Sequence, residues 1–184
     1  KNSTNGIGEF GGKNGDALFR IKGDIDLPFP IFSNFECETE IHHGDSNFIA
    51  NNIDEVDIAY IDPPYNQHPY GSNYFMLNLL CDYKYPKDIS SVSGIPTNWN
   101  RSDYNKRQKS YQSFSELINN LKSKFLLISF NSEGFIDIKA MMGLLNKIGK
   151  VTVLETKYNT FRGSRNLKNR NIHIKEYLYL VEKK

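Results

Sequence analysis

Asp62-Pro63-Pro64-Tyr65 sets a carboxylate, two imino acids and a phenol ring in four consecutive positions. Prolines lack a backbone N–H and fix φ, so the pair holds carboxylate and ring at the two ends of a stiff, extended turn. That set of groups suits chemistry on the exocyclic amino group of a nucleobase. The nitrogen is a poor nucleophile because its lone pair is delocalised into the ring. A carboxylate at Asp62 accepting one amino hydrogen, with the Pro63 carbonyl accepting the other, would favour a pyramidal nitrogen with a localised lone pair. Tyr65 would stack on the base and keep it out of a duplex. No strong base is needed, since the proton can leave after attack. The competing reading is a non-enzymatic turn in which Asp62 caps a helix.

The element that must position this turn precedes it. Asp57-Ile58-Ala59-Tyr60-Ile61 is a short apolar run with a β-branched bias, of a length suited to a buried strand. Two prolines cannot continue a ladder, so Asp62 falls at the strand's C-terminal end, where open α/β sheets place their ligands. Residues 37–43 alternate well enough to predict another strand, ending in His43-Gly44-Asp45-Ser46. Asp45 or Ser46 can then cap a short helix through Ile53; a cap and a ligand contact are equal readings of Asp45. His42 and His43 would face opposite ways on a strand, which argues against a shared metal site.

Beyond the polar, aromatic loop at 67–70, Ser72 can cap a helix from about Asn73 to Tyr83. Residues 85–109 keep no periodicity, and loops of such length are usually functional or disordered. This one mixes Trp99 and Tyr104 with Arg101, Lys106, Arg107 and Lys109, which suits a nucleic-acid backbone and equally a solvated loop. Ser113 and Glu116 have the spacing of a capping box, with Phe114, Leu117, Ile118 and Leu121 following at helical intervals. Residues 124–130 read as a buried strand ending in Asn131-Ser132-Glu133-Gly134. Asp137 can cap a helix with Ile138, Met141, Leu145 and Ile148 on one face, stopped by Gly149; the Met141-Met142 pair reads as core. Residues 151–157 and 172–181 are two more strands, joined by a segment holding Arg162, Arg165, Lys168 and Arg170. The succession predicts a doubly wound α/β layer with an antiparallel edge.

The 184 residues fit one domain, and 39% hydrophobic with 24% charged residues is ordinary for a globular chain. Cys37 and Cys81 have no metal-ligand spacing and predict free thiols in an intracellular protein. No apolar run nears the roughly 20 residues of a membrane helix, and no signal-peptide pattern opens the chain. The first residue is Lys1, so a piece of a longer chain is expected. A net charge of +2 hides an asymmetry: residues 1–60 carry 11 acidic and 4 basic side chains, residues 61–184 carry 10 and 19. The basic part would face a polyanion, although scattered surface lysines give the same balance. Residues 1–35, rich in Gly, Asn and Asp, read as loop with one short strand near 17–21. Gly11-Gly12-Lys13-Asn14-Gly15 lacks the preceding strand and following helix of a phosphate-cradling loop and reads as a connector.

With these residues in view, the sequence resembles the D12 class of adenine-specific DNA methyltransferases, whose catalytic motif is Asp-Pro-Pro-Tyr at the end of the fourth strand. The likeness covers about residues 40–184. It runs from Asp62-Pro63-Pro64-Tyr65-Asn66 through Tyr70-Gly71-Ser72-Asn73-Tyr74 and Phe130-Asn131-Ser132-Glu133-Gly134. It continues in Tyr158-Asn159-Thr160-Phe161-Arg162 and the closing Glu176-Tyr177-Leu178-Tyr179-Leu180-Val181. The resemblance implies a Rossmann-like methyltransferase sheet, doubly wound, with an antiparallel C-terminal hairpin and its first strands missing. Residues 1–35 would be a connector from a target-recognition region and residues 36–184 the C-terminal portion of the catalytic domain. It implies transfer of a methyl group from S-adenosyl-L-methionine to N6 of a flipped adenine in double-stranded DNA, within a restriction–modification system. Asp62, Pro63, Pro64 and Tyr65 would be catalytic, and Asp45, Ser46 and Asp62 would approach the cofactor. Tyr65, Asn131, Tyr158 and Phe161 would wall the base, while the basic loops offer Arg101, Lys106, Arg107, Arg162, Arg165 and Lys168 to DNA. The family's Phe-x-Gly-x-Gly cofactor turn is absent, and Phe10-Gly11-Gly12 is not it. A missing N-terminal segment or partner chain is therefore expected to bring it, with a cognate restriction endonuclease as a further partner. The implied setting is a prokaryotic cytoplasm, at the nucleoid. N4-cytosine methylation and a non-catalytic DNA-binding or assembly fragment are the alternatives; related cytosine motifs usually begin with Ser, so Asp62 favours adenine.

Overall fold

The computed structural model of the chain describes residues 28–91, 95–159 and 173–184. The glycine-rich connector, the strand near 17–21 and residues 160–172 lie outside the described residues. In chain order the elements are α1 (Ser46–Asn52), β1 (Val56–Ile61), α2 (Tyr70–Asn73), α3 (Phe75–Asp82), a 3-10 turn (Asp103–Asn105), α4 (Ser110–Asn120), β2 (Ser123–Asn131), α5 (Ile138–Ile148), β3 (Gly149–Asn159) and β4 (His173–Lys183). They fall into two compact units. One comprises His42–Pro69 and Ser102–Lys184 and contains the whole sheet; the other takes in Tyr70–Arg101 and the described residues up to Ile41.

The sheet has the order β1-β2-β4-β3. β1 and β2 are parallel, while β2–β4 and β4–β3 are antiparallel, which gives the expected Rossmann-like α/β layer with its C-terminal hairpin. Strand alternation sorts the side chains into two faces. Ala59 and Ile61 of β1, Leu126, Ile128 and Phe130 of β2, Tyr177, Tyr179 and Val181 of β4, and Val151 and Val153 of β3 lie in register on one face. All of them join the core, together with Phe114, Leu117 and Ile118 of α4 and Met141, Leu144 and Leu145 of α5. Each fully buried Leu, Ile or Met contributes roughly 1.5–3 kcal/mol, so this single layer of contacts dominates the stability of the unit.

The other face carries Ile58, Tyr60, Phe125, Leu127, Leu178, Leu180 and Leu154, again in register. It is apolar yet open: Ile58 is 63% exposed, Tyr60 61%, Leu154 61% and Leu180 41%.

Both ends of α5 match the sequence. Asp137 accepts from the Ala140 N–H at 2.8 Å, and Gly149 is the C-cap. Three local expectations are corrected. Residues 37–43 form no strand and are exposed, because alternation supplies a face but no ladder partner. Ser113 does not start its helix: α4 begins at Ser110 after Lys109, which caps without a side-chain bond, and the apolar face from Phe114 is preceded by the buried Ser110. Ser72 lies inside α2, and α3 begins after Tyr74. In that second unit α3 ends at Tyr83, which takes the left-handed conformation at φ 51°.

Gly149 has φ −176°, extended backbone open to any residue. Space is what demands glycine there, since a Cβ would collide with the backbone carbonyl of Glu182 on β4. Gly149→Ala is expected to lower unfolding free energy by about 1–3 kcal/mol through overpacking. The measurement is a urea midpoint that falls at constant m-value; an unchanged midpoint would mean the hairpin yields at no cost.

Candidate active site

β1 stops where the prolines begin. Ile61 is buried, Asp62 is exposed and Pro63 is buried again, so the alternation of β1 carries on through the turn. Asp62 therefore continues the open-face positions of Ile58 and Tyr60. Tyr65 follows with its ring edge-on to Phe130, at a centroid distance of 6.0 Å and 66° between planes. Its carbonyl accepts from the Phe135 N–H at 2.8 Å. The turn after β1 is thus tied to the turn after β2.

That second turn is fixed from within. Asn131, 3% exposed, accepts the Glu133 N–H on Oδ1 at 3.0 Å. Its amide also hydrogen-bonds the side chain of Glu176, its register partner on β4. Ser132 and Lys175 exchange two bonds: Ser132 N–H to the Lys175 carbonyl at 2.9 Å, and Lys175 N–H to Ser132 Oγ at 3.0 Å. Gly134 leaves room for the Phe130 ring, which a Cβ would strike. Burial raises the Glu176 carboxyl above its ordinary value; the Asn131 bond opposes this and the charge of Asp62 adds to it. Asp62, Asn131 and Glu176 are therefore neighbours at the C-terminal ends of β1 and β2. Tyr158, 60% exposed, pairs with Ile174, two residues along β4 from Glu176. Phe161 lies outside the described residues.

Asp45 is the N-cap of α1, and its Oδ1 accepts from Asn47 and Phe48 N–H at 3.0 Å each. Both readings of Asp45 thus start from an observed cap. Asn47 links α1 to α4: its Nδ2 donates to the Ser113 carbonyl at 2.8 Å, and the Tyr104 hydroxyl donates to its Oδ1 at 2.6 Å. Ser46 also hydrogen-bonds Tyr104. Burial pushes the Tyr104 phenol up to about 12; the Ser46 bond acts against this, while the charges of Asp45 and Glu116 act with it.

The basic candidates divide. Arg107 lays its guanidinium over the Phe135 ring at 4.8 Å, and Phe135 is the residue that holds Tyr65. Lys106 and Lys109 both bond Asp103, at 2.5 and 3.1 Å. Arg101 stacks on Trp99 at 4.2 Å within the other unit. Arg162, Arg165 and Lys168 lie outside the described residues. Sequence reasoning assigned no role to Glu176, Phe135 or Asn105, whose Nδ2 donates to the Asn66 carbonyl at 2.7 Å. The available signal is an acid, Glu176, directly before the apolar run Tyr177–Val181.

The chain is thus an α/β protein with a carboxylate, two prolines and a ring at the end of a parallel strand, the position where such sheets hold ligands. The chain belongs to the D12 class of N6 adenine-specific DNA methyltransferases, whose family model matches residues 30–144. It is 33% identical over 128 residues to the type II methyltransferase M.CviAII of Paramecium bursaria Chlorella virus 1, covering 69% of this chain and 37% of that protein. It is 30% identical over 149 residues to the type II methyltransferase M.NlaIII of Neisseria lactamica, covering 78% and 43%. Against the modification methylase StsI of Streptococcus sanguinis it is 29% identical over 173 residues, covering 90% and 25%. The chain thus spans less than half the length of these relatives.

Tyr104→Phe tests the link between α1 and α4. Losing the hydroxyl leaves a part-buried Asn47 oxygen short of a donor, at a cost of about 1–3 kcal/mol. Because the folded Tyr104 pKa is raised above the ordinary 10.0, the stability gained by keeping the phenol neutral is fully present below pH 10. It is lost as pH rises towards 12. Urea midpoints at pH 8 and pH 11 are expected to fall less between the two in Tyr104→Phe than in the parent; equal falls would remove Tyr104 from this linkage.

Proposed function

We propose that the chain is the acceptor-side portion of an enzyme that methylates N6 of adenine in double-stranded DNA, as part of a restriction–modification system in the cytoplasm. The observation that carries this reading is Asp62, exposed between buried Ile61 and Pro63 at the end of β1. A flipped adenine set against Tyr65 would give one amino hydrogen to the Asp62 carboxylate and the other to the Pro63 carbonyl. The nitrogen lone pair is then localised. Asn131 and Tyr158 would wall the base, a role the family resemblance gives Phe161 as well. As methylation proceeds, the spare amino proton passes to Asp62 and on to water. Arg107, with the basic residues between β3 and β4, would meet the phosphates.

The methyl donor implied by the family is S-adenosyl-L-methionine, which supplies a methyl group on a positively charged sulfur. The residues present fit part of such a donor. Asp62 offers an exposed carboxylate beside an uncovered sheet face, and the two cap bonds of Asp45 both use Oδ1. Ser46 is hydrogen-bonded to Tyr104. The rest of the pocket, including a Phe-x-Gly-x-Gly turn, would come from a further segment or partner chain. Three observations support this: β1 is an edge strand among the described residues, the face bearing Ile58, Tyr60 and Leu180 is open, and the matched segments cover only 37% and 43% of the relatives. The partner is read as a segment that adds a strand beside β1 and helices over that face.

The test is methyl transfer to unmethylated DNA by the chain alone and together with the segment carrying that turn. Asp62→Ala is expected to abolish transfer in the complete enzyme while leaving DNA affinity nearly intact. Loss of fold instead would make Asp62 a structural cap, and unmodified adenine with normal DNA binding by the complete enzyme would sink the reading. Titrating the chain alone with S-adenosylmethionine is expected to show weak or no binding, restored by the added segment.

A further inference from the structure

Glu176 lies at the candidate site, yet the scheme above gives it no task. Its side chain belongs to the face of β4 that carries Leu178 and Leu180, and its register partner on β2 is Asn131. Along that face the apolar residues give way, at the C-terminal ends of β1 and β2, to Asp62, Asn131 and Glu176. On β3 the partner is Thr156. Glu155 and Lys157, on either side of Thr156, and Lys175 alternate to the opposite face of the hairpin, where Lys175 Nζ lies 2.8 Å from Glu155.

We propose that Glu176 is a positioning residue of the acceptor site, orienting the Asn131 amide and setting a second negative charge beside Asp62. The orientation follows from donors and acceptors. Asn131 Oδ1 is taken by the Glu133 N–H, so the Nδ2 that meets Glu176 fixes the amide in one sense. With Asn131 locked, the turn after β2 is held, and Phe135 is placed to donate to the carbonyl of Tyr65. The charge acts on the chemistry. An amino nitrogen that gains a methyl group is positively charged until it sheds a proton, and two fixed carboxylates stabilise that charge without reorganisation. The rise in the Glu176 carboxyl through burial and Asp62 is what such a pair produces. The inference rests on the acceptor-site reading above and adds a residue to it.

Two measurements test it. The first needs no activity: carboxyl carbons of the chain itself are titrated by NMR. Glu176 is expected to titrate above the ordinary glutamate range and to move down in Asp62→Asn; a Glu176 titration indifferent to that change overturns the pairing. The second uses the complete enzyme. Glu176→Gln keeps an acceptor for Asn131 but removes the charge, and is expected to lower kcat about 10–100-fold, the range seen for outer-shell partners of other sites. KM for DNA should stay unchanged, and the acid limb of the pH–rate profile should shift. A purely structural glutamate would leave that limb in place. Glu176→Asp should recover part of the rate. If Asp62→Ala abolishes methylation while Glu176→Gln alters neither rate nor pH limb, the inference fails and the methyltransferase reading stands. If no form methylates DNA, that reading fails and the titration alone decides whether the two carboxylates share a site.

Discussion

The pairing of β1 with β2 is the constraint on which the rest of the site depends. Among the described residues β1 has one ladder neighbour, and its register is set by Ile61 opposite Ile128, both buried. A slip of one residue would bring Asp62 to the core and Ile61 to the open face, so desolvation of a carboxylate enforces the register as firmly as burial of an isoleucine. The Lys124–Asp57 contact at 2.6 Å lies on the exposed surface and adds little. The position of the proposed chemistry is therefore decided by apolar packing beneath the sheet.

Much of this was legible in the residues. The continuous apolar run of β2 and the hairpin strands could hardly be anything else, and Asp137 and Gly149 marked the ends of α5 by their chemistry. Ser72 and Ser113 have the side chains and spacing of caps without capping, since α3 follows Tyr74 and α4 follows Lys109. α4 begins earlier, where Ser110 can be buried at 4% exposure. The alternation of residues 37–43 was real, but alternation describes a face, and a strand also needs a neighbour's N–H and C=O groups. Asp62 could be found because two prolines announce it. Glu176 could not, since its meaning comes from Asn131, 45 positions away in sequence and opposite it in the sheet.

The charge asymmetry reads differently once the side chains are placed. Lys106 and Lys109 share Asp103, and those two bonds hold its carboxyl below the usual range. Lys183 donates to the Ile118 and Leu121 carbonyls at the end of α4, at 3.0 and 2.7 Å; burial lowers its pKa. It serves as a helix C-cap. Several cations of the basic part thus serve the fold, whereas Arg107 rests on Phe135, whose N–H bonds the Tyr65 carbonyl.

The stacking of Arg101 on Trp99 has a practical consequence. Trp99 is the sole tryptophan of the chain and belongs to the unit without the sheet, whereas Tyr177 and Tyr179 are buried in the sheet's core. Emission excited beyond the absorption of tyrosine therefore reports on one unit, and the near-ultraviolet circular dichroism of the tyrosines includes the other. Whether the two melt together or apart can be followed optically, without attaching a label to either.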